Sequence, residues 1–507
     1  MNKIFISALL TSSLLLGACT DLSENLYDKV SMDDYGKTPA EIQTIVSGAY
    51  ATLRGYGANT PEGNGANCYP TCEYVFFLDE CASDEACIPT RGTDWYDGGR
   101  YQQVQFHTWT AENAMVLSAW RYSFTGVSKI NAIIYQVEAS ELSTEAKVSV
   151  TAELRGLRAY YYWQLLDKFG NVPIVTDFTD TELPKSTTRQ KVFEFVEKEM
   201  TEILPQLPTG VQYGRFTQNV GYTLLARLYL NAEVYTGTAR WQDCLDACGK
   251  VTGYNLTAYF DNFATQNETS PEIIFAIPYD HKQGTVGNYL ASMTYHYNQK
   301  QAFDPNGIYQ WCGNGISAQP GVYSSFEESD MRRQALLIGQ QKSAKDGSDV
   351  LMDNGEPLNY TEAIENYTNA LQNEGARLNK YAWNPNDAWE RDNDWVLMRY
   401  AEILLMQAEC NFRLGYPDTG LPYINQIRAR AGLATPLTTL TEQTLDQEWL
   451  HEFVFEGLRR TVNIRFGTFY KKWWQKGDDA ADKHTGLYPV PKEERDKNPG
   501  LTQNPGY

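Results

Sequence analysis

The chain has 507 residues, a length that allows several average domains or one large helical array with an ample core. Its formal net charge is −20, which repels the phosphates of nucleic acids and of anionic lipid headgroups and argues against a nucleic-acid partner. Aromatic residues make up 13% of the chain, with 34 Tyr and 12 Trp. So many rings with a polar edge favour a ligand-binding surface, with a tyrosine-rich core as the alternative.

The first 18 residues are predicted to be a lipoprotein signal peptide. Lys3 gives a positive start, residues 4–16 form an apolar run, and Leu16-Gly-Ala-Cys19 closes the run with small residues before a cysteine. The run is shorter than the roughly 20 apolar residues that a transmembrane helix needs. We expect cleavage before Cys19 and acyl chains, such as palmitate, on the cysteine, which would hold the protein on a membrane. An ordinary secreted protein with a chance cysteine is the alternative.

Residues 19–38 are polar and acidic and are predicted to be a flexible, lipidated tether. From residue 39 to 507 we expect one mainly α domain, because apolar side chains recur at helical spacing, as Leu154, Leu157 and Tyr161 do. The predicted helices span residues 39–54, 110–138, 144–169, 187–204, 218–235, 240–251, 394–415, 418–431 and 443–475.

One sequence pattern occurs twice. Leu228-Tyr-Leu-Asn-Ala-Glu233 returns as Leu404-Leu-Met-Gln-Ala-Glu409, and a glycine-containing turn and a second amphipathic helix follow each copy. Helix pairs with a small residue at the crossing are typical of TPR arrays, and the irregular spacing here predicts a degenerate TPR-like scaffold.

Two long tracts, residues 55–109 and 253–392, are irregular and rich in Gly, Asn, Asp and aromatic residues. Loops of this length inside a compact protein are usually functional. We therefore expect the ligand site within these two tracts.

Four cysteines crowd into the first tract, as Cys68, Cys72, Cys81 and Cys87. In an oxidising export compartment they predict two disulfides, with three pairings open. Zinc is the alternative, although zinc sites usually show tighter cysteine pairs than these spacings allow. Cys244 and Cys248 lie one helical turn apart and are predicted to pack within a helix rather than form a bridge.

Catalysis is not expected. The five histidines are scattered without a metal-binding spacing, and neither a phosphate loop nor a nucleophile elbow is found in the sequence. Paired acids such as Asp79/Glu80 and Asp84/Glu85 could serve a glycosidase, but 63 carboxylates make such pairs common by chance. No cofactor or catalytic metal is predicted. The Asp-rich loops are compatible with a bound calcium ion, to which no residue is assigned.

The sequence resembles the SusD/RagB family of Bacteroidetes outer-membrane lipoproteins in ordered motifs from residue 152 to the C-terminal end. The motifs are Ala152-Glu-Leu-Arg-Gly-Leu-Arg-Ala-Tyr-Tyr-Tyr162, Lys168-Phe-Gly-Asn-Val-Pro-Ile-Val175, Ala226-Arg-Leu-Tyr-Leu-Asn-Ala-Glu233, Glu272-Ile-Ile-Phe275, Arg399-Tyr-Ala-Glu-Ile-Leu-Leu-Met-Gln-Ala-Glu409, Ile424-Asn-Gln-Ile-Arg-Ala-Arg-Ala-Gly432, Glu456-Gly-Leu-Arg459, Arg465-Phe-Gly467, Leu487-Tyr-Pro-Val-Pro491 and Asn498-Pro-Gly-Leu-Thr-Gln-Asn-Pro-Gly-Tyr507.

The resemblance implies a mostly helical, TPR-containing lipoprotein on the outer face of the outer membrane. Such proteins bind a glycan and deliver it to a SusC-like TonB-dependent transporter, which they cover as a lid, and they do not cleave it. Binding of peptides or other nutrients by the same lid mechanism is the alternative, because the family has peptide-handling relatives. The acidic Thr20-Asp-Leu-Ser-Glu24 is partly similar to the surface-export signals of the phylum.

Glycan binding requires aromatic planes for the apolar faces of sugars and polar side chains for their hydroxyls. Arg91 to Gly99 offers both among flexible glycines, and the family builds its binding platform from this region and from the second tract. For Trp95 in this loop, the alternative to ligand contact is a structural role, in which its ring holds the loop against the helices. The predicted glycan contacts are Asp79, Arg91, Asp94, Trp95, Tyr96, Tyr295 and Trp311. We hypothesise that disulfides of the cysteine cluster rigidify this loop and reduce the entropy lost on binding.

Overall fold

The computed structural model describes residues 38–55, 74–280, 293–306, 312–383 and 392–507. The predicted signal peptide and most of the tether, with Cys19, lie outside these residues, as do Trp311, Cys68 and Cys72. Within the described residues, none of the helices has an apolar stretch long enough to cross a membrane.

The described chain is mainly α, and most helices lie where the apolar periodicity predicts them. Polar caps fix their starts: the side chains of Asn113 and Ser143 accept backbone N–H bonds at the first turns of the two longest helices. The helices are α1 (Pro39–Ala51), α2 (Tyr74–Glu80), α3 (Arg100–Gln105), α4 (Ala114–Ala139), α5 (Thr144–Lys168), α6 (Arg189–Ile203), α7 (Gln218–Leu230), α8 (Ala232–Thr236), α9 (Trp241–Cys248), α10 (Lys300–Phe303), α11 (Val322–Ser325), α12 (Tyr400–Arg413), α13 (Pro417–Arg430), α14 (Glu442–Phe453), α15 (Arg459–Phe466) and α16 (Lys492–Lys497).

The repeated sequence pattern forms TPR-like helix pairs, as predicted. α7 packs against α9, and α12 packs against α13 and α9. The crossing of α12 and α13 requires a small residue, because a Cβ atom at Gly420 would lie 2.8 Å from the carbonyl oxygen of Ala408. The glycine therefore sets how closely these two helices approach.

The strands are short and lie mainly in the two tracts that the sequence predicts to be irregular. Among the described residues they form four antiparallel pairs, β1 with β3, β2 with β8, β4 with β7 and β5 with β6. The strands are β1 (Ala86–Cys87), β2 (Ile273–Ile277), β3 (Ser317–Ala318), β4 (Leu336–Leu337), β5 (Gly339–Gln340), β6 (Asn359–Tyr360), β7 (Arg377–Leu378) and β8 (Trp395–Arg399).

Three predicted helices differ from the structure. The helix predicted over 218–235 is divided at Asn231 into α7 and α8. The helix predicted from residue 394 begins only at Tyr400, because the residues before it form β8 and pair with β2. The helix predicted over 443–475 is broken between α14 and α15, where Phe455 and Gly457 have φ angles of 66° and 79°. An α-helix cannot continue through these left-handed residues.

A buried ion cluster joins β2, β8, α13 and α14. The guanidinium of Arg399 has no exposed surface and donates to Glu272 at 2.8 Å, to Glu456 at 2.7 and 2.8 Å, and to Glu452. Arg430 on α13 binds Glu272 at 3.2 Å and also Glu452. Each buried carboxylate thus meets at least one guanidinium, which is the condition under which burial of charge is tolerated.

The cluster continues through Arg332, which is also fully buried and bonds to Glu448 at 2.9 Å, to Glu452 at 3.1 Å and to Asp330 at 2.7 Å. Burial alone raises the pKa of Glu452, but the guanidinium groups of Arg430, Arg399 and Arg332 outweigh burial and hold it far below its usual value. The Glu452 carboxylate is therefore ionised, and the three arginines surround it.

Replacing Arg399 with Met is expected to destabilise the protein by about 3–5 kcal/mol, because it leaves buried carboxylates without their cation. Denaturant unfolding measures the change. The matched control is Lys342→Met, which removes a cation from the exposed Lys342 and Asp349 pair and should change stability little. An Arg399→Met loss no greater than that of the control would contradict the role given to the cluster.

Candidate functional site

The loop from Arg91 to Gly99 is fixed at its base by a buried arginine. Arg91 is 4% exposed, and its guanidinium donates to the backbone carbonyls of Leu371 and Glu374, the latter at 2.8 Å. The backbones of Arg91 and Asp94 exchange hydrogen bonds of 3.0 and 3.1 Å. Arg91 therefore joins the two irregular tracts and closes the loop, and it has no free face for a ligand.

Trp95 attaches the middle of the loop to the second tract. Its indole N–H donates to the carbonyl of Gly313 at 2.7 Å, and a Cβ at Gly315 would lie 2.5 Å from the ring. The indole also packs 5.6 Å from the ring of Tyr101. Trp95 has a φ of 61°, a strained conformation for a non-glycine residue that these contacts maintain. The pinning role is thus observed, and the half-buried ring keeps one part open to solvent.

The exposed side of the loop carries Tyr96, whose surface is 53% exposed. Beside it, the hydroxyl of Tyr297 donates to the carboxylate of Asp94. This bond holds a half-buried tyrosine of the second tract against the loop and occupies one oxygen of Asp94.

The same surface continues across the second tract. Leu371 is 64% exposed, and Gln372 beside it bonds through its amide oxygen to His296 at 3.1 Å. Asn298 donates to the carbonyl of Leu351 at 2.8 Å. We name this surface the loop face and define it by Asp94, Trp95, Tyr96, Tyr297, Asn298, Leu371 and Gln372.

Two other predicted contacts, Asp79 and Tyr295, lie outside the loop face. Asp79 is 5% exposed and forms a 2.8 Å ion pair with Lys168 of α5. Tyr295 has no exposed surface, and its hydroxyl donates to Asn379 at 2.6 Å while its ring packs against Phe303. Like Arg91, both are buried and bonded within the fold, so the structure does not bring them to the surface that carries Asp94, Trp95 and Tyr96.

The structure adds four residues that the sequence did not single out, Tyr297, Asn298, Leu371 and Gln372. Tyr297 had a signal, because it lies in the aromatic run of the second tract, and Asn298 directly follows it without a signal of its own. Leu371 and Gln372 had none, since their position depends on Arg91, which binds a backbone carbonyl 280 residues away.

The predicted disulfides are not formed by the cysteines that the structure describes in this cluster. Cys81 and Cys87 are free, buried thiols, and burial raises the pKa of Cys87 to about 12. The loop is rigidified instead by the guanidinium of Arg91 and the indole of Trp95. Cys244 and Cys248 are free and buried in α9, as predicted.

The acidic pairs considered for catalysis serve the fold. Asp84 binds Arg459 at 2.7 and 2.9 Å. Glu80 and Glu85 have 0% and 1% of their surface exposed, and they accept backbone N–H bonds from Leu458 at 3.2 Å and from Phe455 at 2.6 Å. They therefore hold the left-handed break between α14 and α15. Among the described residues, no group of three or more His, Cys, Asp and Glu is placed to hold a metal ion.

Glu80 and Glu85 are both buried and each affects the pKa of the other, which favours a pair that holds a proton. Burial, and after it the Glu85 carboxylate, raises the pKa of Glu80 well above its usual value. Burial raises the pKa of Glu85 to about 7. The folded state thus holds protons that the unfolded chain releases near pH 4.5, and the pair loses stabilising free energy as the pH rises from about 4.5 through 7.

Glu80→Gln, which keeps a neutral donor beside Glu85, is expected to reduce this pH dependence. The free energy of unfolding of the variant, relative to that of the unmodified protein, should increase by about 1 kcal/mol or more from about pH 5 to pH 8. Urea unfolding at both pH values measures the difference. The exposed Glu233→Gln serves as the control, and an equal difference at both pH values for Glu80→Gln would contradict proton sharing.

Comparison with known families supports the architecture described above. The model described as the SusD family matches residues 271–507, and the one described as "Starch-binding associating with outer membrane" matches residues 83–230. The chain therefore belongs to the SusD family.

Individual relatives match over nearly their whole length. Starch-binding protein SusD of Bacteroides thetaiotaomicron is 27% identical over 484 residues, which cover 85% of each chain. SusD-like protein P2 of Formosa agariphila is 25% identical and covers 100% of each. The solved structure of surface glycan-binding protein A from Bacteroides thetaiotaomicron in complex with laminarihexaose superposes with a TM-score of 0.73 at 22% identity, covering 92% of this chain and 100% of that one.

Proposed function

We propose that this protein binds oligosaccharides or polysaccharides at the loop face and delivers them to a SusC-like TonB-dependent transporter. The observation that carries the proposal is the exposed Tyr96 on a loop that Arg91 and Trp95 hold rigid from below. A rigid platform loses little conformational entropy when a ligand binds, so more of the contact free energy remains as affinity.

The chemistry of the loop face suits a sugar. The rings of Tyr96, Tyr297 and the open part of Trp95 offer apolar planes, and Leu371 adds an exposed apolar edge. The carboxylate of Asp94 and the amides of Asn298 and Gln372 can bond to hydroxyl groups around these planes. Relatives named as starch-binding and as a complex with laminarihexaose support a glycan as the ligand class.

Tyr96→Ala is expected to weaken binding about tenfold, because stacking of one aromatic ring contributes roughly 1.4 kcal/mol. Affinity electrophoresis of the purified protein in gels that contain a panel of polysaccharides first identifies the glycan and then measures the loss. Tyr416→Ala is the control, since Tyr416 is 62% exposed in the turn between α12 and α13, outside the loop face.

Equal retardation of both variants would contradict the site. If a screen finds peptide ligands and no glycan, the protein binds peptides and the proposed ligand class is wrong. The proposed activity is binding without cleavage, and new reducing ends after incubation with the bound glycan would contradict it.

We also propose that residues 1–18 are removed, that Cys19 carries the lipid, and that residues 19–38 tether the domain of residues 39–507 to the outer membrane with its loop face outward. The match to the family model described as "Starch-binding associating with outer membrane" supports this location.

Cys19→Ser should abolish labelling by radioactive palmitate in cells and move the protein from the membrane fraction to the soluble fraction, because acylation requires the thiol. Cys81→Ser is the control and should leave both readouts unchanged. Failure of protease to reach the unmodified protein on intact cells would contradict the outward orientation.

A further inference from the structure

His296 lies under the loop face and uses both nitrogens of its ring. Its side chain has no exposed surface. Nδ1 accepts the backbone N–H of Asn298 at 3.1 Å, and Nε2 lies 3.1 Å from the amide oxygen of Gln372. The backbone N–H of His296 donates to the hydroxyl of Tyr360 at 2.8 Å, which fixes the residue from a third side. The imidazole therefore connects two polar residues of the loop face that are far apart in the chain.

These contacts determine the protonation state of the ring. A ring nitrogen that accepts a hydrogen bond carries no proton, so Nδ1 of His296 is unprotonated and the imidazole is neutral. A neutral imidazole carries its one proton on the other nitrogen. Nε2–H is therefore the donor in the bond to the amide oxygen of Gln372.

The bond from Nε2–H fixes the orientation of the Gln372 amide. Because the amide oxygen faces the imidazole, the NH₂ group points away from it, and this group has no hydrogen-bond partner among the described residues. The backbone is held as well, since the carbonyl of Gln372 accepts from Arg377 at 2.7 Å and that of Leu371 accepts from Arg91. The half-buried Gln372 thus presents a fixed hydrogen-bond donor at the loop face.

We propose that His296 is a positioning residue of the loop face: its neutral imidazole holds the Gln372 amide so that the NH₂ group donates to an oxygen of the bound glycan, and protonation of the imidazole weakens binding. The inference rests on the proposed binding of glycans at this surface. A proton on Nδ1 would face the N–H of Asn298, so that two donors would meet and the ring would have to move. Gln372 would then lose its fixed orientation.

The charges around His296 favour the neutral ring at neutral pH. Burial lowers the pKa of His296, and the hydrogen bond with Gln372 opposes this effect. The guanidinium groups of Arg377 and Arg91 lower the pKa further, while the carboxylate of Asp353 raises it. Since the pKa lies below its usual value of about 6.5, binding should be constant at neutral pH and should weaken as the pH falls below about 6.5.

The other ionisable groups that face the ring do not titrate in this range. Burial raises the pKa of Tyr360 to about 12 and also raises that of Tyr297, whose ring lies 5.2 Å from the imidazole. Arginine and aspartate side chains ordinarily keep their charge between about pH 5 and pH 8. Among the described groups around it, His296 is therefore the one that titrates there.

His296→Asn tests the positioning role. The shorter side chain keeps an oxygen that can accept the N–H of Asn298, as asparagine does in turns, but it cannot reach Gln372. Affinity electrophoresis at pH 8, with a glycan identified by the polysaccharide panel, should show binding weakened about three- to tenfold, as for the loss of one hydrogen bond. Gln372→Ala should show the same loss, and the double variant should lose no more than either single variant.

The pH profile separates positioning from a purely structural role. The unmodified protein should bind the same glycan less tightly at about pH 5 than at about pH 8, whereas the affinity of His296→Asn should be equal at both. His484→Asn is the matched control, because it removes a histidine that is bonded to Asp482 outside the loop face, and it should keep the profile of the unmodified protein.

Nitrogen-15 NMR of protein labelled at histidine measures the protonation state without a ligand. The resonances of His296 are those that move in Gln372→Ala, and at pH 8 they should show a bare Nδ1 and a protonated Nε2. A proton on Nδ1 at this pH, or unchanged affinity of His296→Asn for the glycan, would overturn the proposal and leave glycan binding intact. Failure of every polysaccharide to retard the unmodified protein would instead contradict the proposed function, and this inference with it.

Discussion

Arg399 lies without exposed surface between Glu272, which directly precedes β2, Glu452 of α14 and Glu456 of the left-handed turn that follows α14. A guanidinium that has lost its water must have its donors satisfied, and each of these glutamates in turn needs a cation. The bonds are directional, so they determine how the sheet, α13 and α14 meet. The position of the second tract depends on this arrangement because β2 and β8 lie near its two ends.

The helices could be predicted from the sequence because each follows from a local pattern, such as the apolar stripe of α5 or the repeated segments in α7 and α12. The break at Phe455 could not, since Glu80 and Glu85 stabilise it from a distant part of the chain. The strand before α12 was also missed, because a short apolar run such as Trp395–Arg399 suits a helix or a strand until its partner is known.

In the candidate site too, local sequence patterns predict some features, and tertiary contacts decide the others. The sequence placed Trp95, Tyr96 and Asp94 in an aromatic, glycine-rich loop, and the structure keeps them at a surface. It could not distinguish the exposed Tyr96 from the buried Tyr295, nor the ion-paired Asp79 from a free carboxylate, because burial is decided by tertiary packing. The residues that hold the loop face, above all Arg91, make their contacts with backbone atoms of a remote segment, and such contacts leave no motif.

The central claim is that a rigid loop face binds the ligand while the helical scaffold stays unchanged. Hydrogen–deuterium exchange with and without a saturating glycan identified by the polysaccharide panel tests it most directly. We predict slower exchange at residues 91–99, 295–298 and 371–374 and no change in α12 and α13. Protection confined to the helices, with exchange in the loop face unaltered, would contradict it.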